Sequence, residues 1–311
     1  MFARRRDGHV TQVGLGRPSA DVHIDAAVVR QLLREQHPDL SELTVSESVE
    51  GWDNHMFRLG DELAVRLPRR GASADLIENE QRWLPQLARQ LPLSIPAPIR
   101  TGRPGCGFPW RWSVVPWLTG DTALVASNLD ISAIAKTIAR FLRSLHLPAP
   151  SEAPTNPWRG VPLADRTDLL HRGLTQLEGR VDRTAALDVW QRALAAAPWQ
   201  GPRLWIHGDL HPANLLIQKG RLSAVIDFGD LTAGDPATDL SVAWMLLPPS
   251  HRSVFRVACR HASHPIDDDT WARARGWALA LGVAYLAGSR DDEPLAALGR
   301  ATIEAALSSA P

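Results

Sequence analysis

Two apolar runs, each breaking off at an aspartate, constrain this chain more than anything else in it. "RLWIHGDLHPANLLI" carries the first break and "AVIDFGD" the second. An apolar run anchors itself in a core, so the polar residues sit on a loop pinned at both ends. Loops on a rigid scaffold are where proteins present reactive groups. Asp209, Asn214 and Asp227 are the oxygen-bearing side chains this pattern sets to converge. Two carboxylates and an amide oxygen form a hard donor set, which suits magnesium rather than zinc.

The first loop also holds His207 and His211. In His207-x-Asp209-x-His211, three alternate residues would face one way on a regular strand and suggest zinc. Gly208 and Pro212 interrupt any such strand, and no third His or Cys lies nearby to complete a tetrahedral site. The histidines therefore read as loop scaffolding through hydrogen bonds to backbone. Asp235 and Asp239, in "GDPATDL", read as helix-start and loop-bracing acids.

The hydrophobic period changes along the chain. "DAAVVRQLLREQ" has a helical face of Val28, Leu32 and Leu33, with Asp25 as N-cap. "LTVSESVE", "HMFRLG" and "ELAVRLP" alternate as strands, with Gly60-Asp61 turning between the last two. The helix "SADLIENEQRWLPQLARQL", a proline-rich connection and the strand "RWSVVPWL" follow. Beyond residue 118 helices dominate. "ISAIAKTIARFLRSLHL" presents Ile134, Ile138, Phe141, Leu142 and Leu145 on one face. The expected fold class is α+β in two lobes. Residues 1–20 form a tail, 21–118 a small antiparallel-sheet lobe with its linker, and 119–311 a larger helical lobe. A cleft between lobes is where a ligand binds.

Bulk properties narrow the function. Formal net charge is zero, which argues against a nucleic-acid partner. Two distant cysteines, Cys106 and Cys259, offer neither a disulfide framework nor a zinc site. The arginine-rich N-terminus lacks the apolar run of a secretory signal. The longest apolar stretch, residues 277–288, falls short of the ~20 residues that cross a bilayer. The expectation is a cytoplasmic protein with no membrane partner.

"IHGDLHPANLLI", "VIDFGD" and "GDPATDL" together resemble the aminoglycoside phosphotransferase family, part of the protein-kinase-like superfamily that includes choline kinases. The resemblance runs over most of the chain, and the Asp-to-Asn offset of five residues matches. It implies a two-lobe kinase-like fold and a magnesium-dependent O-phosphotransferase. Its co-substrate is ATP or GTP and its acceptor a hydroxylated small molecule. Asp209 is then the catalytic base, and Asn214 and Asp227 hold Mg2+ against the nucleotide phosphates. Gly208 stands where the superfamily has an arginine.

The resemblance also requires a cation on the third strand. The chain has only two lysines, Lys136 and Lys219, both beyond the small lobe. Arg66 takes the position, with Arg69 and Arg70 as competitors. Glu80 is its expected helix partner, and Glu78 lies on another face. Gly51 permits close approach of the first turn to phosphate, through the amides of Asp53 and Asn54. In the linker, the amides of Trp117 or Leu118 would read the purine, since Pro116 has none. Trp117 and Trp158 are also candidates for stacking.

The acceptor is left open: an aminoglycoside-like antibiotic, a macrolide, a sugar, an amino alcohol or another metabolite. A polycationic acceptor would want an acidic pocket. Asp267, Asp268 and Asp269, with Asp291, Asp292 and Glu293, are the candidates, though such runs ordinarily form solvated surface. The alternative is a catalytically silent nucleotide-binding regulatory module of the same fold. A protein kinase is disfavoured, because no activation segment ends in A-P-E and Gly208 replaces the arginine.

Overall fold

The computed structural model describes residues 18–260, 266–290 and 293–308. The expected tail over 1–20 lies outside them as far as residue 17, as do Asp291 and Asp292.

Helix α1 (Ala26–Gln36) starts at Asp25, whose carboxylate accepts from the Ala27 and Val28 amides, both at 2.9 Å. It buries Val29, Leu32 and Leu33; Val28, expected inside, sits one position round the helix and is only half-buried. Strands β1 (Val45–Glu50), β2 (Asn54–Leu59) and β3 (Leu63–Pro68) follow, then α2 (Gly71–Leu87), β4 (Arg100–Gly102) and β5 (Trp112–Pro116). They build one antiparallel sheet in the order β1-β2-β3-β5-β4. β4 lies in the proline-rich connection and is too short to show an alternation of its own.

The second half begins with β6 (Asp121–Thr122), α3 (Ile131–Leu145), α4 (Thr167–Gln176) and α5 (Arg183–Ala195). Next come β7 (Leu204–Ile206), β8 (Leu215–Gln218), β9 (Arg221–Val225) and β10 (Thr232–Gly234). The expected strand through residue 230 stops at Val225, because Asp227 turns into the left-handed region at φ 62°. β8 and β9 form a hairpin through Lys219 and Gly220, both at positive φ as a tight primed turn demands. β7 pairs with β10 instead, so the two polar loops leave neighbouring short sheets side by side. The helices α6 (Ala237–Leu240), α7 (Val242–Leu246), α8 (Pro249–Ala258), α9 (Asp268–Gly288) and α10 (Pro294–Ser308) complete the fold.

There are two hydrophobic cores. The smaller packs α1 on the sheet through Leu32, Leu33, Phe57, Leu59 and Trp112. The larger holds Phe141, Trp190 and Trp277, and also takes in Trp83, Leu84 and Leu87 of α2. The rings of Trp83 and Trp205 lie 5.1 Å apart. α2 therefore straddles the cleft: its apolar stripe docks on the larger core, and its buried Glu80 faces β3.

Candidate active site

Asp239 sets the first loop. Its fully buried carboxylate accepts the His207 amide at 2.8 Å and the Gly208 amide at 2.9 Å. His146 Nε2 lies 3.1 Å from the same carboxylate. Gly208 has φ +85°, and a Cβ there would sit 2.4 Å from the Asp230 carbonyl oxygen. A side chain at this position would clash with that backbone in this loop. Asp235 caps the following turn at the Ala237 amide (3.0 Å) and pairs with buried Arg273 at 2.7 Å.

Both histidines are scaffold. His207 Nδ1 accepts the Asp209 amide at 3.3 Å, so its Nε2 carries the proton and donates to the Ile226 carbonyl at 3.0 Å. That bond ties one loop to the other. His211 Nδ1 accepts the Ala213 amide at 3.2 Å. Among the described residues no group of three or more His, Cys, Asp or Glu side chains is placed to hold a metal ion.

Asp209, Asn214 and Asp227 all line one cavity of about 870 Å³. The Asn214 amide nitrogen donates to the Asp209 carbonyl at 2.9 Å, which turns its oxygen the other way. The Ile226 amide donates to the Asn214 carbonyl at 3.0 Å, placing Asn214 beside Asp227. Left-handed backbone is uncommon for a residue with a side chain and clusters at functional sites; Asp227 is one such case. With hard oxygens on both, the pair fits a magnesium ion.

Asp209 is held by more groups than its loop provides. Oδ1 accepts from Arg159 Nη2 at 3.1 Å and from the Tyr285 hydroxyl at 2.9 Å. Oδ2 faces His211 Nε2 at 3.4 Å. Burial alone would raise its pKa, but His211, Arg159 and these hydrogen bonds hold the carboxyl well below the usual carboxylate range. Arg159 also pairs with Asp230 at 3.4 Å. Burial pushes Asp230 up against the pull of Arg159, and Asp209 adds to the rise.

On the other side of the cleft, Arg66 Nη2 meets Glu80 Oε1 at 2.8 Å and Asp227 Oδ1 at 3.3 Å. It sits opposite Met56 in the middle of the sheet. Of the competing cations, Arg69 is tied to Glu50 (3.2 Å) and the Gly51 carbonyl (3.1 Å). Arg70 binds Asp53 at 2.6 Å. Glu78 is exposed and faces Arg111. Burial pushes the Glu80 carboxyl up to about 7, with Asp227 and Asp53 adding to the rise against the attraction of Arg66.

One expected contact changes character. The Trp117 amide donates to the Glu62 carbonyl at 2.7 Å as part of the sheet edge. It is not free for a purine, which leaves Leu118. The Asp53 carboxylate turns inward to Arg70 and to the Ser73 hydroxyl (2.7 Å), and Asn54 is buried at the start of β2. Gly51 closes this turn, its amide donating to the Asn54 carbonyl at 2.8 Å. Trp52, between Gly51 and Asp53, is the turn residue that lines the cavity.

A family model described as "Phosphotransferase enzyme family" matches residues 44–277. The chain belongs to the phosphotransferase enzyme family. Two Escherichia coli aminoglycoside 3'-phosphotransferases are similar in sequence. One is 26% identical over 142 residues, 44% of this chain and 52% of the relative. The other is 28% identical over 117 residues, 37% and 43% respectively. The chain thus spans about half the length of the curated relatives it matches. Among solved structures, the GDP complex of an aminoglycoside 2'-phosphotransferase-IIIa superposes with a TM-score of 0.65 at 18% identity, covering 91% of this chain and 99% of that one. A macrolide 2'-phosphotransferase from Brachybacterium faecium gives 0.59 at 20% identity, covering 91% and 97%. The expected fold, a two-lobe kinase-like architecture with a small antiparallel sheet and a larger helical part, is borne out.

Within this phosphotransferase-family fold, sequence reading overlooked Arg159, Asp230 and Tyr285. Asp230 ends the second motif in plain view, yet nothing local gave it a partner. Tyr285 did leave a trace: it is the only tyrosine in the chain and interrupts an apolar helix. Arg159 sits in a loop with no distinguishing signal. The acids Asp267, Asp268 and Asp269, considered for an acceptor pocket, do not line the cavity. Asp267 instead caps α9 at the Thr270 amide, 2.8 Å away. Glu293 lies on Arg290 at 3.4 Å. No helix among the described residues is long and apolar enough to cross a membrane.

Proposed function

We propose that this chain transfers the terminal phosphoryl group of ATP or GTP to a hydroxyl of a small molecule. The observation that carries this reading is the convergence of Asp209, Asn214 and Asp227 on one cavity, on loops braced by Asp239 and His207. Residues 21–118 serve as the nucleotide lobe and linker, and 119–311 as the catalytic and acceptor lobe.

The roles follow from charge and reach. Phosphoryl transfer asks a protein mainly for positioning and for cancellation of charge on oxygen. The acceptor hydroxyl would donate to Asp209 Oδ2, the less engaged oxygen, and turn its own oxygen toward the phosphorus. As the new P–O bond forms, the bond to the nucleoside diphosphate breaks and the hydroxyl proton passes to Asp209. A strongly acidic Asp209 is a weak base, which suits a late proton transfer. Asn214 and Asp227 would hold Mg2+, which screens the charge of the phosphate oxygens. Arg66, steadied by Glu80, would hold the phosphates, and the Leu118 amide would face the base.

Kanamycin, streptomycin and gentamicin, each held in a complex by a structurally similar aminoglycoside phosphotransferase, are polar hydroxylated molecules. They support a small-molecule acceptor as a class. The alternative, a silent nucleotide-binding module, draws only on Arg66 standing where a lysine is usual. A screen of hydroxylated acceptors with ATP and GTP, read as magnesium-dependent nucleoside diphosphate release, separates the two. Nucleotide binding without turnover of any acceptor would establish the silent module. Turnover abolished by Asp209→Ala would support the kinase.

A further inference from the structure

Among the described residues six arginines are buried: Arg66, Arg69, Arg70, Arg159, Arg166 and Arg273. Five close on a carboxylate: Glu80, Glu50, Asp53, Asp209 with Asp230, and Asp235 in turn. Arg166 does not. It is 3% exposed, and its Nε and Nη1 are buried without a hydrogen-bond partner. Its guanidinium lies 5.5 Å from the Trp158 ring centre and 5.8 Å from that of Trp277. Two aromatic faces attract a cation, but they accept none of its N–H groups in the plane. A buried charge without a hydrogen-bonding counter-ion is costly. Burial and then the neighbouring Arg159 push its pKa down to about 10, while Asp230, which does not close on it, pulls the other way.

Arg166 borders the cavity that holds Asp209. The cavity's acids, Asp209, Asp227 and Asp230, all lie on the two motif loops. The wall running from Arg166 through α4 to Arg183 contributes three arginines, His171, Thr175, Gln176 and two leucines to the lining, and no carboxylate. Arg172 and Arg183 stand exposed on its rim. Asp230 is already engaged by Arg159 and by Asn156 at 2.7 Å. A polycationic acceptor would bring positive charge against this wall. An acceptor with an anionic oxygen group would bring a close anion to Arg166 where it borders the cavity, while the buried Nε and Nη1 stay out of its reach.

We propose that the acceptor is an anionic hydroxylated small molecule, whose carboxylate or phosphate seats against Arg166 while a hydroxyl reaches Asp209. This rests on the kinase reading for the hydroxyl's fate, but not for the anion's seat. Arg172 steers the anion inward from the rim. A charge-assisted hydrogen bond of this kind changes affinity about tenfold to a hundredfold.

The test uses three acyclic polyols that differ at one carbon: gluconate, glucitol and glucamine. Calorimetry on the full chain measures their binding, and nucleoside diphosphate release is followed in parallel. The expected order is gluconate tightest and glucamine weakest, with about tenfold between neighbours. Arg166→Met should erase the preference for gluconate, and Arg166→Lys should restore part of it. Should the Met variant fail to fold, the exposed Arg172→Glu decides, by weakening gluconate and strengthening glucamine. Glucamine binding as tightly as gluconate, or no preference among the three, overturns the proposal. Preferred gluconate binding with no nucleotide turnover would sink the kinase reading and leave the anion seat standing.

Discussion

The Tyr285 hydroxyl donates to Asp209 Oδ1 at 2.9 Å, joining α9 to the loop after β7 across 76 residues of sequence. Its own ionisation is pushed far up by burial and by the Asp209 charge, so it acts only as a donor. One Asp209 oxygen is thereby fixed, while Oδ2 faces His211 Nε2 at 3.4 Å.

Removing this donor separates positioning from basicity. Tyr285→Phe should leave the fold intact, at a cost of about 1 kcal/mol in a denaturant melt. It should reduce kcat far less than Asp209→Ala, which removes the base and lowers kcat by roughly 10²–10⁴-fold. Nucleotide affinity should hardly change in either variant. Near-normal turnover by the Asp209 variant would show that the base lies elsewhere.

Asp209 should not titrate in the working range. Its carboxyl is held below the ordinary 3.8, so its stabilising contribution is present at neutral pH and lost only in strong acid. The kcat/KM profile should show no acid limb from this group. Arg159→Gln removes one of the charges that hold it down and should bring such a limb toward neutral pH. An unchanged profile in that variant would mean His211 alone sets the carboxyl.

Glu80 behaves in the opposite sense. Its folded pKa of about 7 exceeds the ordinary 4.5, so its contribution to stability is full below the lower value and fades as pH rises through 7. Denaturant melts at pH about 5 and about 9 should show the wild type losing stability between them. Glu80→Gln should flatten that slope while weakening magnesium-nucleotide binding, because Arg66 loses its partner. A wild-type curve without the slope would place the Glu80 charge at ordinary pH, with Arg66 dominant.

Gly208 tolerates no side chain. Gly208→Ala combines left-handed backbone strain with a Cβ 2.4 Å from a backbone oxygen. It should destabilise by about 1–3 kcal/mol and lower kcat by displacing Asp209. A chemical melt and turnover assay on the same preparation check both. Wild-type values for both would mean the loop relaxes freely.

Much of this protein is local information. The break at each aspartate, the period change near residue 118 and the cap at Asp25 are short-range patterns, and the chain folds as they dictate. The absence of any lysine from the small lobe left an arginine to pair with Glu80, and Arg66 does so. The short strands β4, β6 and β10 escaped, because two or three residues show no period and pairing partners alone make them strands.

What only the tertiary structure decided is who meets whom over long separations. Arg159 and Tyr285 reach Asp209 from 50 and 76 residues away, and Arg66 reaches Asp227 across 161. Sequence proposed three arginines for one role; all three are buried, and only their partners separate them, Arg66 meeting Glu80 and Asp227 while Arg69 and Arg70 meet Glu50 and Asp53. Sequence also placed candidate acids for an acceptor in surface runs, whereas the cavity wall is arginine-bearing and Arg166 stands on it without closing on a carboxylate. A residue's type is fixed by the chain, but its charge balance depends on neighbours that only packing assembles.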